Sequence, residues 1–505
     1  MRAVGWHRFQ CLGNDVFYLL ISDLAWRTDP RFIQQAIHSK FSKPFPPLTN
    51  CRAGNVQLPS HLRVAHSLCT TEHNPSAHRQ GLRRLRPTSD HAQFVSIRSD
   101  DFQRFLRATG AHSPVCSTIY TYTTYFSLRT LGYEDINDHD QLRKDPVFGI
   151  LAGREELDEP LAGKSTLNRM ELGTGAKDRC KKITFWKDAI DELLVTVFIE
   201  SHPNAPAEII LDVDTTDLPL HGKQEGRFFH GYYDNYCYLP LYIFCGEHVL
   251  CARLREANHD AAFGSLQEIQ RIVVQIRAAW PATKIILRGD SGFCRNQLMS
   301  WCENNPVDFV FGLARNQRLR KIIGAQMHAA TQHWNQSGKP ARVFSEFTYQ
   351  TKKTKKGGWD RERRVVAKAE HIDGKENPRF VVTSLTSEAW AGQALYEQLY
   401  CARGDMENRI KEQFSLFADR VSTETMRANQ MRLYLSTMTY VLVSGLRRLG
   451  LKGTALAEAQ VSTIRTKLLK IGAQIRVTVR KVWVSLASSY PWQELYGQVW
   501  ANLRC

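Results

Sequence analysis

Three acidic residues far apart in the chain, Asp214, Asp290 and Glu407, are candidates for a shared divalent-metal centre. Phosphodiester chemistry asks for such a set: two cations about 3.5–4 Å apart, one activating the attacking oxygen and one stabilising the leaving oxygen. Carboxylate oxygens suit Mg²⁺ or Mn²⁺, which keep waters and take their remaining ligands from phosphate. Asp212 shares the predicted strand face of Asp214 and rivals it for the first position. Any one of these acids could equally be a solvated surface charge or a cap, so only convergence would make them a site. His221, with Gly222 and Gln224, reads as the shaping of a turn, because a Mg²⁺ site prefers oxygen ligands.

Around Glu407, the residues Tyr400, Arg403, Glu407 and Lys411 follow at steps of three, four and four, which puts them on one helical face. A carboxylate flanked by two cations stays ionised, and Arg403, Lys411 and the Tyr400 hydroxyl could hold a phosphate beside it. The alternative is a solvated ladder of i,i+4 ion pairs. Gly404 favours the first reading: a mid-helix glycine costs about 1 kcal/mol relative to alanine, and close approach of a backbone or ligand would compensate.

These residues need elements to bring them together. Ile209–Asp214 alternates with period two, as a strand should, and Tyr238–Phe244 and Val249–Leu254 follow as a hairpin pair around Cys245–His248. Ala261–Trp280 carries Leu266, Ile269, Ile272, Val273 and Ile276 at helical spacing and stops at Pro281. Strands are predicted again at Lys284–Leu287 and Asp308–Leu313, with Asp290 in the loop at the carboxyl end of the first, where open α/β sheets place ligands. That order predicts an α/β fold with a ribonuclease-H-like core, a mixed sheet flanked by helices, although other α/β domains give similar strings. Strand signals at Arg342–Tyr349, Arg363–Ala369 and Arg379–Leu385 surround the basic stretch 352–364 and predict a β-rich insertion. The expected organisation is 1–115 atypical and poorly ordered, 116–200 helical and DNA-binding, 201–317 the first part of the core, 318–390 the insertion, 391–450 the second part of the core, and 451–505 helical.

The chain has 505 residues, 43% of them hydrophobic, which excludes a mainly disordered protein. Lys and Arg number 67 against 50 Asp and Glu, and the net charge of +17 is most simply balanced by phosphates. Twelve scattered cysteines without a C-x-x-C pair argue against a disulfide framework or a zinc module. The most apolar stretch, Leu433–Leu446, is shorter than the roughly 18 residues a membrane span needs. No secretory signal is recognised, so a cytoplasmic protein is expected.

The segments GYEDINDHDQLRKDPVF (132–148), LDVDTTDLPLHGKQEGRFFHGYYDNYCYLPL (211–241), RGDSGF (288–293) and YCARGDMENRIKE (400–412) resemble those of bacterial insertion-sequence transposases of the DDE class. The similarity is greatest to the insertion-sequence 1380 group, related to the insertion-sequence 4 clan, and covers roughly 117–450. It implies a catalytic acidic triad, which is also the metal-ligand set, on Asp214, Asp290 and Glu407. It further implies Mg²⁺ or Mn²⁺ as cofactor, cleavage and strand transfer of double-stranded DNA at inverted repeats and target, a homodimer assembled on DNA, and association with the nucleoid. The clan's Tyr-Arg-Glu-Lys signature falls on Tyr400, Arg403 and Glu407. Its lysine would reach Phe414, so Lys411 departs from the pattern, and residues 1–115 do not match the family's usual start. An inactive DNA-binding derivative and a nuclease without strand transfer are the alternatives.

Secondary positions follow. Ala162–Ser165 resembles a phosphate loop but lacks its first glycine and a preceding strand, so no nucleotide cofactor is expected. Pro146–Leu151 and Gly163–Glu171 could instead form a helix-turn-helix presenting Lys164 and Arg169 to DNA, or an ordinary helical pair. Trp359 is either a ring that stacks on an unpaired base, as the resemblance implies, or part of the core. Lys352, Lys353, Lys355 and Lys356 either touch phosphate or keep a loop soluble.

Overall fold

The computed structural model describes residues 127–151, 159–172, 185, 187–352, 358–478 and 482–504. The expectations for 1–115 and for Lys353, Lys355 and Lys356 lie outside the described residues. Two compact units are distinguished. One holds the described residues up to Ala189 with Ser415–Phe417 and those from Met438 onward; the other holds Ile190–Phe414 and Ala418–Thr437.

In the first unit, helices α1 (Pro146–Leu151) and α2 (Lys164–Leu172) lie where the helical pair was expected. The buried Arg129 side chain donates to the carbonyls of Leu416 and Phe417, and Arg465 donates to those of Thr130 and Ser415.

The second unit is built on a nine-stranded mixed sheet. Strands β1 (Glu208–Thr215), β5 (Leu241–Cys245) and β6 (His248–Arg253) form an antiparallel meander. A small separate sheet interrupts it, made of β2 (Leu218–Pro219), β3 (Phe228–His230) and β4 (Asn235–Tyr238) in the order β2-β4-β3. Strands β7 (Lys284–Gly289) and β8 (Val307–Leu313) run parallel to β1 on its other side. Beyond β8 come β12 (Arg379–Thr383), β10 (Arg363–Ile372) and β11 (Lys375–Glu376), with β9 (Ala341–Tyr349) also paired to β10. The strands expected as an insertion thus extend the same sheet, because β12 pairs antiparallel with β8.

Period-two alternation divides the core between the two faces of the sheet. On one face Leu211, Val213, Ile285, Leu287, Phe309 and Phe311 join Val195 and Phe198 of α3 (Lys187–Glu200), Ile269, Ile272 and Ile276 of α4 (Ser265–Ala279), and Leu298 and Met299 of α5 (Asn296–Asn304). On the other face Ile286, Val310, Val366 and Val381 pack against Leu395, Tyr396 and Leu399. Parallel strands covered on both sides require the unbroken apolar run Ile285–Leu287.

The second cover is a helix of uneven pitch. Leu395–Tyr400 is a π-helical turn, Cys401–Arg403 tightens to a 3₁₀ turn, and α6 (Gly404–Ser415) resumes the α pitch. A Cβ at Gly404 would meet nothing within 4 Å, so no neighbouring backbone accounts for that glycine.

The C-terminal part of the first unit differs from its all-helical expectation. Strands β13 (Ala473–Val477) and β14 (Val482–Leu486) form an antiparallel hairpin before α7 (Gln493–Arg504). The alternating β-branched residues from Ile475 to Val484 favour extended backbone over helix. No described helix is long and apolar enough to cross a membrane.

Candidate active site

Asp214 lies near the end of β1, and the parallel register Val213↔Gly289 brings the chain after β7 alongside it. The next residues along the two strands are Asp214 and Asp290, and adjacent strands run about 4.8 Å apart. Each carboxylate is held locally. The Thr215 amide donates to Asp214 Oδ1 at 2.8 Å, and the Gly292 amide donates to Asp290 Oδ1 at 2.8 Å, which caps the 3₁₀ turn Ser291–Phe293.

Glu407 reaches the same place through Arg403. One guanidinium nitrogen donates to Asp214 Oδ2 at 3.0 Å and the other to Glu407 Oε1 at 3.2 Å. The two carboxylates therefore both lie within hydrogen-bond reach of a single guanidinium. Tyr400 completes the rim: a Cβ on Gly312 of β8 would come within 2.5 Å of the Tyr400 hydroxyl and 3.0 Å of the Ser291 amide nitrogen. Only glycine at that position lets the phenol lie beside the Asp290 loop.

The electrostatics follow from the crowding. Burial pushes the Asp214 carboxyl up to about 6; Arg403 and the Thr215 amide oppose this, while Asp290 and Glu407 add to it. Burial works against the Arg403 charge, yet Asp214, Tyr400, Asp290 and Glu407 outweigh it and raise its pKa. The Tyr400 phenol is raised by burial, an effect that Arg403 opposes and Asp290 reinforces. One cation thus serves several acidic neighbours.

Asp212, the rival of Asp214, is occupied elsewhere. It faces Arg288 across the β1–β7 register, and Arg288 donates through Nε to Oδ1 at 2.5 Å and through Nη2 to Oδ2 at 2.7 Å. The remaining arm of Arg288 donates to the Leu399 carbonyl at 2.5 Å. This buried fork ties the two central strands to the π-helical turn that leads to Glu407. Sequence reasoning did not assign Arg288 that part. Its place next to Gly289-Asp290 was visible, but its register partner was not.

The other expected residues are placed as follows. Lys411 lies one turn beyond Glu407 on the exposed side of α6. Lys164 is on α2 in the first unit, paired with Asp140 at 2.7 Å, and Arg169 is exposed on the same helix. His221 is exposed. Trp359 corrects the stacking expectation: it is 4% exposed, within the sheet's core, with its ring edge-on to Tyr349 at 5.7 Å between centroids. The Trp359 amide donates to Thr351 Oγ1, which helps hold the residue inward and leaves no ring face for a base.

Among the described residues, no group of three or more His, Cys, Asp or Glu is gathered tightly enough to hold a metal ion as arranged. Between Asp214 and Glu407 lies the Arg403 guanidinium, a cation already bound by carboxylate oxygens. The donor set nevertheless fits a hard divalent ion in chemistry: all oxygen, partly exposed and bordered by the Arg403 guanidinium and the Tyr400 hydroxyl.

A mixed sheet that collects carboxylates at the carboxyl ends of its central parallel strands defines an α/β protein with a clustered-acid site. The chain belongs to the family described as Transposase DDE domain group 1, whose model matches residues 125–505. Among solved structures, it is similar to the cryo-EM structure of the piggyBac transposase synaptic complex with hairpin DNA. That likeness has a TM-score of 0.37 and 11% identity and covers 77% of this chain and 76% of the other. No curated protein matches the sequence.

Proposed function

We propose that this chain is an insertion-sequence transposase of the insertion-sequence 1380 group, with a ribonuclease-H-like core, that cleaves DNA at the inverted ends of its element and joins them to target DNA. The observation that carries the reading is the meeting of Asp214 and Glu407 on one guanidinium beside the Asp290 loop, in a chain of the DDE family. The strand order β6-β5-β1-β7-β8 supports the core assignment.

In this reading Asp214, Asp290 and Glu407 hold Mg²⁺ or Mn²⁺. When bound, such ions activate the attacking oxygen and stabilise the leaving one. The chain's own residues do the rest. The Gly292 amide fixes the Asp290 carboxylate, and Arg403, released from the carboxylates, donates to a phosphate oxygen that the Tyr400 hydroxyl also approaches. Water attacks phosphorus, the P–O3′ bond breaks, and the freed 3′-hydroxyl then attacks a target phosphodiester, exchanging one P–O bond for another. Lys164 and Arg169 on α2 contact DNA backbone, Lys411 extends the phosphate-binding rim, and a homodimer holds the two ends together.

The test is an assay with Mg²⁺ and duplexes carrying the inverted repeats that flank the gene. Cleaved ends and joined products are expected from the native chain and from none of Asp214→Asn, Asp290→Asn and Glu407→Gln. Cleavage without joining would indicate a nuclease, and metal-independent end binding without cleavage an inactive DNA-binding protein.

A further inference from the structure

The chain leaves β1 at Thr215 and, before returning as β5, builds the small β2-β4-β3 sheet. Phe229 and Tyr236 stand opposite each other in its register, with rings edge to face at 5.5 Å and exposures of 52% and 45%. Arg227, two residues before Phe229 and so on the same face, lies with its guanidinium carbon 3.7 Å from the Tyr236 ring centroid. On the opposite face the register partner of Phe228, Cys237, is fully buried and clusters with Leu239 and Ala257. The sheet is therefore anchored on one side through Cys237 of β4, although Phe228 on that side is 39% exposed, and it shows Phe229 and Tyr236 to solvent on the other.

This sheet is close to the carboxylates. Asp217, three residues past Asp214, accepts from the Asn235 side chain at 3.0 Å, next to Tyr236. Tyr233, in the turn between β3 and β4, has its phenol pushed up to about 12 by burial and by Asp217, Asp214, Tyr232 and Asp290. On β3 and just before it, His230 Nδ1 and Arg227 Nε are buried and have no hydrogen-bond partner among the described residues. Such orphaned groups are uncommon in a finished surface and accord with a polar ligand.

We propose that Arg227, Phe229 and Tyr236 form a stacking platform for unpaired bases of a DNA strand whose phosphate lies at the carboxylate rim. In duplex DNA each base face is covered by its neighbours, so only an unpaired nucleotide offers a free π-face to these rings. Every base has such a face, so the platform is tolerant of sequence. A guanidinium held over a tyrosine ring keeps its terminal N–H groups for phosphate, which a purely apolar protein partner would leave unsatisfied. The net charge of +17 also favours a polyanion. The inference rests on the proposed transposase reading, and it supplies the base-binding surface that Trp359, packed in the core, does not.

Full-length protein in EDTA, titrated with a single-stranded oligothymidylate of about a dozen nucleotides carrying one central 2-aminopurine, isolates binding from cleavage. Native protein is expected to quench the fluorophore and to bind the single strand. Phe229→Ala/Tyr236→Ala should weaken that binding roughly 5- to 100-fold, abolish the quenching and leave affinity for the same sequence as a duplex within about twofold. Phe229→Leu/Tyr236→Leu, which keeps apolar area but removes the rings, should behave like the alanine pair, and Tyr236→Phe like the native chain. Unchanged single-strand affinity in the alanine pair, equal weakening on duplex, or full retention in the leucine pair would overturn the proposal. So would a fall in oligomeric mass by light scattering with strand binding intact, which would make this face a contact between copies. Failure of native protein to cleave in Mg²⁺ bears only on the enzyme reading, and Asp290→Asn should lose cleavage while keeping the quenching.

Discussion

Two carboxylates on β1, Asp212 and Asp214, meet arginines in contrasting ways. Arg288 grips Asp212 with two nitrogens and gives a third to the Leu399 carbonyl, and both side chains are almost fully buried, at 7% and 6% exposure. Arg403 gives one nitrogen to Asp214 and one to Glu407, and the outer end of that bridge is half exposed. The first cluster is closed, with the acid's oxygens and the base's donors matched in a dry setting. The second is open: its cation is shared between two acids, and its outer end reaches solvent. Identical chemical groups two residues apart are thus divided into a fastener and a candidate site by solvent access and by the register of β7.

The comparison can be broken at either cluster. The largest effect is expected at the open one: Asp214→Asn or Asp290→Asn should remove several kcal/mol of transition-state stabilisation, a fall in end cleavage of about a hundredfold or more, with no loss of stability in urea denaturation. Full cleavage by either variant would remove that residue from the site. At the closed cluster, Arg288→Met strands a buried carboxylate and should cost about 3–5 kcal/mol of stability, read by urea denaturation, and Asp212→Leu in the same chain should restore most of it. An equal loss from Arg403→Met would erase the distinction.

A third prediction concerns pH. Folded Asp214 takes up its proton near 6, against an ordinary 3.8, so between those values the folded chain binds more protons than the unfolded one. Its contribution to stability is therefore full below about 3.8 and lost as pH rises through about 6. Metal uptake slopes the other way, because it needs the ionised form: Mn²⁺ affinity measured by calorimetry should fall about tenfold per pH unit below that value. A flat profile through this range would assign control to another group. A smaller effect than at Arg288 is expected from Arg403→Gln, which breaks the half-exposed i,i+4 pair with Glu407, worth about 0.3–0.5 kcal/mol, together with the more buried contact to Asp214. Mn²⁺ affinity without DNA should nevertheless rise, and an unchanged or lower affinity would show that Arg403 does not compete with the ion.

Much of the frame is legible in the residues because local periodicity encodes it. The alternation at Ile209–Asp214 and the helical spacing from Leu266 to Ile276 lie within β1 and α4. Partner choice leaves no such local mark: nothing in Arg379–Leu385 says that β12 pairs with β8 and continues the main sheet. The β2-β4-β3 sheet escaped notice because Gly222, Gly226 and Gly231 break its alternation and its pairings span loops. At the candidate site the acids could be named, but choosing between Asp212 and Asp214 needed the residue opposite each one, which depends on the β1–β7 register. Trp359 among cations looks the same in sequence whether its ring faces a base or the core. Its packing with Tyr349 in the core resolves the ambiguity.

The wide turn at Leu395–Tyr400 has a consequence for chain length. A residue removed there is absorbed by closing the wide turn to the commoner pitch, which leaves every later side chain on its present bearing. A residue removed from the regular pitch of α6 before Glu407 meets no such slack and swings the later side chains by about 100° around the axis. Glu407 would then turn away from its partners, so the rim tolerates a single-codon deletion in the wide turn and is silenced by one in α6.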